Sequence, residues 1–185
     1  MSAEAPPFPA FPEPPADSSV CPTCGRDPGR GLACRFCGQL LDLPDGVALS
    51  SPGRRLGGYL LDIALLWGAA AIDIFLAVGG AAFAGVALLA WLIWTLVLWA
   101  RGQTPGKQLL GMRTVRLSTG RRASWGIMFV RDFLLKFILF GIIVSITFGL
   151  GLITYFWLLW DAKRQELWDK MVGTIVVDDR QGLLR

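Results

Sequence analysis

An apolar run from about Gly57 to Gly80 carries a carboxylate, Asp62, at a depth where a bilayer-spanning helix would meet hydrocarbon. A charge there costs several kcal/mol, so it marks either a function or a fixed partner. Asp73 follows eleven residues later and Arg55 precedes by seven. At about 100° per residue, seven and eleven steps both return to within about 20° of the start. Arg55, Asp62 and Asp73 therefore fall on one stripe of one helix, about 10 and 16 Å apart along its axis. Such a stripe has no use against lipid and must face protein or water.

Two further apolar stretches follow, Ala81 to Ala100 without a charge and Gly126 to Trp160. Each reaches or exceeds the roughly 20 residues that cross a bilayer. With 54% hydrophobic residues and 17% charged ones among 185, the chain is too apolar for a soluble domain and reads as an integral membrane protein. Residues 1–19 are acidic and proline-rich and predict a disordered tail. They carry no signal-peptide pattern, so the first spanning helix is expected to do the targeting.

The four cysteines form two Cys-x-x-Cys pairs, Cys21 with Cys24 and Cys34 with Cys37, each followed by glycine. Two such turns aim four sulfurs at one point, which suits a tetrahedral structural Zn²⁺ in a ribbon over 20–40. Two disulfides, four free thiols or a rubredoxin-like iron site are the alternatives. No histidine exists to complete a mixed site. A segment this short has no core, so the metal would supply most of its folding free energy. Residues 1–53 carry three basic against six acidic side chains, the wrong sign for nucleic acid. A protein-docking knob and a passive cap both remain open for the ribbon.

Residues 41–53 read as a linker. Between the second and third apolar regions lies a basic loop with Arg101, Lys107, Arg113, Arg116, Arg121 and Arg122 and no acid. The positive-inside rule puts this loop and the N-terminus in the cytoplasm, where thiols stay reduced. Thr104 and Pro105 predict a short capped helix ended by Gly111. Met112 to Leu117 and Thr174 to Val177 read as strands. Two lone strands need each other, so the C-terminus is expected in the cytoplasm too, after an even number of crossings. The region 126–160 would then cross twice as short or tilted helices; one surface helix followed by one span is the alternative. Asp132 and Lys136 are spaced to pair on one helix face. Gly141, Ser145 and Gly149 form a row of small residues for close helix contact. Trp99, Trp125, Trp157 and Trp160 read as interfacial anchors. The expected fold is an all-α membrane protein, a small bundle of about four embedded helices with a short cytoplasmic strand pair and an N-terminal zinc ribbon.

Positions 54–178 resemble the RDD family of bacterial membrane proteins. Arg55-Leu56-x₅-Asp62 matches its opening, Gly102-Gln103-Thr104-Pro105-Gly106-Lys107-x₃-Gly111 its loop, and Arg164-Gln165-x₂-Trp168-Asp169-x₃-Gly173-Thr174 its closing motif. Trp168 stands where members often carry histidine. The resemblance implies an inner-membrane, multi-pass location with Asp62 and Asp169 as the family's two aspartates, and some members are associated with cation/proton antiport.

Two functions follow as expectations. In the first, the chain is a membrane-anchored assembly or regulatory protein, its charges structural and its ribbon a docking module for a protein partner. In the second, it exchanges small cations against protons, with Asp62 as carrier, Arg55 beside it and Asp169 at the cytoplasmic mouth. About four helices make a small bundle, so a homo-oligomer is expected in either case. Enzyme activity is not expected: the chain lacks histidine, a nucleophile elbow and a full phosphate loop. The basic loop also suits anionic lipid, each cation near the surface adding about 1 kcal/mol.

Overall fold

Pro52 opens the long helix because its missing amide is no loss in the first turn, and the Ser51 hydroxyl accepts the Arg54 amide at 3.3 Å. The computed structural model describes residues 20–80, 83–147, 159–181 and 183. Helix α1 runs over Pro52–Val78, 27 residues, with a mean hydropathy of 2.0 in its most apolar stretch. At 1.5 Å per residue it spans about 40 Å, more than a bilayer's hydrocarbon core of about 30 Å. Among the described residues it is the one helix long and apolar enough to cross a membrane; α2, Val86–Trp99, is apolar but shorter. α1 contacts at both ends of α2 return it antiparallel: Asp73 holds residues 87 and 88, and Asp62 holds residues 104 and 106.

Thr104 caps α3 (Pro105–Leu109) as its sequence predicts, and Gly111 follows with φ of +65°. Strand β2 (Met112–Arg116) pairs antiparallel with β3 (Thr174–Asp178), from Met112 opposite Asp178 to Arg116 opposite Thr174. The expected strand pair is therefore present, but the all-α expectation is corrected in one respect. β1 (Ala48–Leu49), from the segment read as a linker, adds to the other edge of β3, giving the order β1-β3-β2. About half of the described residues are helical.

Helix α4 is continuous over Trp125–Met128, Phe129–Leu139 and Phe140–Ile146, its middle part wound with i→i+5 hydrogen bonds. The wider winding stacks Phe129, Phe133 and Phe137 in a row at centroid spacings of 5.2 and 5.9 Å. Lys136 reaches out of α4 to Glu166 at 3.4 Å, and Asp132 is held by its neighbour Arg131 at 2.9 Å. Helix α5 (Leu167–Val172) leads into β3 through Gly173, which takes the left-handed φ of +66°. The Gly149 end of the small-residue row, Trp157 and the returning half of 126–160 lie outside the described residues, as does the proline-rich tail.

Two cores hold the elements. Leu32, Val47, Val115, Ile175 and Val177 form one, with Leu40, Leu43, Leu49 and Leu117 packed on it. The cysteine segment therefore shares a core with the sheet, and the Leu32 amide donates to Leu117 O at 2.8 Å. Trp99, Ala123 and Met128 form the other. Trp99 is buried edge-on to Trp125 at 5.8 Å, so it joins α2 to α4, which corrects its reading as an interfacial anchor.

Candidate functional site

In the cysteine module, Gly25 and Gly38 take φ of +66° and +71°, and their amides donate back to Cys21 O and Cys34 O at 2.8 Å. These two turns bring the four sulfurs of Cys21, Cys24, Cys34 and Cys37 within 4.8 Å of one another. Cys21 and Cys37 approach to 3.6 Å and Cys24 and Cys34 to 3.7 Å. A tetrahedral thiolate site with bonds of about 2.3 Å sets its sulfurs about 3.8 Å apart, so these residues fit a metal ion. The Cys37 and Phe36 amides pull the Cys34 thiol down to about 6, toward the thiolate a metal needs. The Gln39 amide works to lower Cys37, but burial and the neighbouring thiols lift it to about 11.

The three charges of the α1 stripe end on three different partners. Asp62 accepts the Thr104 hydroxyl at 2.6 Å and the Gly106 amide at 2.7 Å, so it clamps the first turn of α3. That contact needs glycine: a Cβ on Gly106 would collide with Gly58 O and stand 3.0 Å from the Asp62 amide nitrogen. Asp73 accepts the Ala87 and Leu88 amides at 3.0 and 2.8 Å and caps α2. Arg55 bonds Asp169 at 3.0 Å and Val176 O at 3.1 Å. The described structure thus pairs Arg55 with Asp169 and leaves Asp62 to α3.

Asp169 is the centre of the charge network. It is fully buried, and its two oxygens take Arg55 Nη1 at 3.0 Å, Arg131 Nε at 2.7 Å, the Thr174 hydroxyl at 3.1 Å and the Glu166 amide at 3.2 Å. Burial alone would raise its pKa, but Arg131 and Arg55 outweigh that and hold it well below the usual carboxylate range. Trp168 beside it is buried and packs edge-on to Phe140 at 5.3 Å. Gln165 and Gln103 tie the same region together, donating to Thr174 O at 2.7 Å and Met112 O at 2.9 Å.

Arg131 stands among the charges in the first half of 126–160, and its partner is what pattern reading did not supply. It is 1% exposed and matches Arg55 as a partner of Asp169. The available signal was an arginine beside an aspartate at the start of an apolar run. Lys107 belongs to the basic loop expected to suit anionic lipid, but its ammonium lies 3.5 Å from the Thr114 hydroxyl. Arg54 donates to Leu110 O and pairs with Asp178 at 3.0 Å, anchoring the start of α1 to the loop and sheet.

These charges border a cavity of about 320 Å³ between α1, α2, α3, α4 and α5. Asp62, Lys107, Arg131, Asp132, Lys136 and Glu166 line it, and so do apolar residues of α1, α2 and α4.

The sequence model of the RDD family matches residues 49–173, across α1, α2, α3, β2, α4 and α5. No curated protein matches the chain, and no solved structure does.

Proposed function

The chain belongs to the RDD family of membrane proteins, and from that premise we propose that it is a membrane-anchored assembly or regulatory protein. The observation that carries this reading is the use of every charge of the α1 stripe as a clasp. Asp62 holds α3, Asp73 holds α2 and Arg55 holds Asp169. A buried pair of this kind fixes one arrangement of elements and contributes little net stability. In this reading Zn²⁺ fills the four-cysteine site as a structural ion, since four thiolates close the tetrahedron and leave no catalytic position. The ribbon, sharing the sheet's core, presents a rigid surface to a protein partner. In this reading the sheet, the ribbon and both chain ends lie on the cytoplasmic side of an inner membrane, which the charge of the basic loop supports. No catalytic step is assigned.

One observation favours a second reading, cation/proton exchange: Asp62 lines the cavity beside Lys107 and Asp132. Proton movement in liposomes under Na⁺, K⁺ and Li⁺ gradients separates the two. The anchor reading expects no flux from folded wild type. Flux that disappears in Asp62→Asn would replace it with transport.

A further inference from the structure

The middle of α4 is wound with i→i+5 hydrogen bonds over Phe129–Leu139, eleven residues, between two α-helical ends. Winding of this kind is rare and is mostly a single turn inserted in an α-helix, often at a functional site. A run more than twice that long needs something outside the helix to hold it.

Three contacts to one short element supply the hold. Arg131 Nε meets Asp169 at 2.7 Å, Lys136 Nζ meets Glu166 at 3.4 Å, and the Phe140 ring lies edge-on to Trp168 at 5.3 Å. All three partners belong to the start of α5, where the Glu166 amide donates to Asp169 at 3.2 Å and ties the first turn together. In an α-helix, five steps would set Lys136 about 140° round the axis from Arg131. Nine steps would set Phe140 about 180° away, on the opposite side. With residue i+5 bonded to residue i, Lys136 instead stands over Arg131, and Phe140 falls one step short of the second turn. The wide winding is thus what lets all three residues face α5 at once.

The two halves of α4 are not held equally. Arg131 is also paired with Asp132 at 2.9 Å, and its partner Asp169 is fixed by Arg55 at 3.0 Å. Beyond Arg131 the ties to α5 are Lys136 with Glu166 and Phe140 with Trp168. Lys136 also lies 4.8 Å from the Tyr59 ring centroid on α1. Lys136 and Phe137 line the cavity, as do Tyr59 and Glu166.

We propose that α4 is a two-register helix. The start of α5 latches its middle in the wide winding, and release from Glu166 and Trp168 rewinds it as an α-helix. Rewinding turns Lys136 and Phe137 off the cavity wall while Arg131 stays on Asp169. A group that competes with Lys136 for Glu166 therefore opens that wall. Packed elements change between such discrete arrangements and not by degrees. The device is separate from the anchor reading, because ion flux does not report the winding and the winding does not report flux.

The test uses the full chain in lipid nanodiscs. Ketone-bearing residues replace Gly126, which has open space around it, and Ile142, which is 51% exposed. Hydroxylamine spin labels then mark both positions and spare the cysteines, and pulsed electron paramagnetic resonance reads the distance between them. Sixteen residues of α-helix span about 24 Å. The wide winding is shorter, so wild type should fall below that value. Lys136→Met combined with Phe140→Ala should lengthen the distance toward it. Glu166→Gln keeps an acceptor for the α5 cap and removes the charge, and should show both distances in one sample. Should the double variant fail to fold, Glu166→Gln carries the test. A wild type already at the α-helical distance, or a distance unchanged in the folded variants, would overturn the proposal.

Discussion

At the sheet end of the molecule Val115, Ile175 and Val177 are fully buried, whereas at the hairpin end Phe75, Val78 and Phe83 are 79%, 85% and 71% exposed. Charges divide the same way. Asp169 is closed in by two arginines, while Asp73 is met by two backbone amides of α2. The sheet end buries its apolar groups against its own chain, as a water-facing domain does. The hairpin leaves large apolar side chains outward, a surface that lipid accepts and water does not. One chain therefore holds two stabilities, one self-contained and one leaning on the bilayer, joined through Arg55 at the start of α1.

With the proposed metal in the four-cysteine site, removing it should separate them most. A four-thiolate zinc site contributes about 10 kcal/mol or more to folding a short module, and this module supplies Leu32 to the sheet's core. A tight chelator is expected to unfold residues 20–40 and speed amide exchange at Val115, Ile175 and Val177, leaving α1 and α2 protected. Equal protection of the sheet with and without chelator would break the link between metal and core.

Next in size is Asp169. Asp169→Asn leaves Arg55 buried without its counter-charge and Arg131 with Asp132 alone, at a cost of about 3–5 kcal/mol. The pH dependence has a definite sign. A carboxylate whose folded pKa is depressed gives stability that is complete above its unfolded value, about 3.9, and fades as pH falls through the lower folded value. Thermal melts in detergent should show that acid limb in wild type and a flatter one in Asp169→Asn. A mutant with the wild-type midpoint and limb would mean the network is not a lock.

A smaller effect belongs to Lys107, on α3 outside the spanning helices. Burial and then Arg131 bring its pKa down to about 8, with Lys136 in the same sense and Asp132 and Asp169 opposing. Between about 8 and 10.5 the unfolded chain binds more protons than the folded one, so stability should rise with pH there, by about 1–3 kcal/mol. The side chain keeps some access to water, which is why the lower part of that range is expected. Lys107→Met should flatten the rise.

How much of this was legible in the sequence depended on whether the cause was local. The Thr104-Pro105 cap, the strands at 112 and 174 and the cysteine turns are set by neighbours in sequence, and each stands where its residues predict. The α1 stripe was legible as a stripe, but its partners were not. Helical spacing says which side chains share a face and nothing of what meets that face. Arg55 meets Asp169 across 114 residues and Asp62 meets Thr104 across 42. β1 was missed because two residues in a turn-rich segment carry no alternation to read. The role of Arg131 was not legible because its partner Asp169 lies 38 residues away.

The smallest effect should come from Asp73, and it tests the comparison most directly. Its carboxylate accepts two amides at the start of α2, where a negative charge also favours the helix dipole. Asn keeps an acceptor there and loses the charge. Asp73→Asn should therefore lower the thermal midpoint by only roughly 2–4 °C. Exchange at the Ala87 and Leu88 amides should quicken, while Ile175 and Val177 stay as in wild type. Faster exchange at Ile175 and Val177 would show that the two ends unfold as one unit. The division drawn between a self-contained end and a lipid-dependent one would then have to be abandoned.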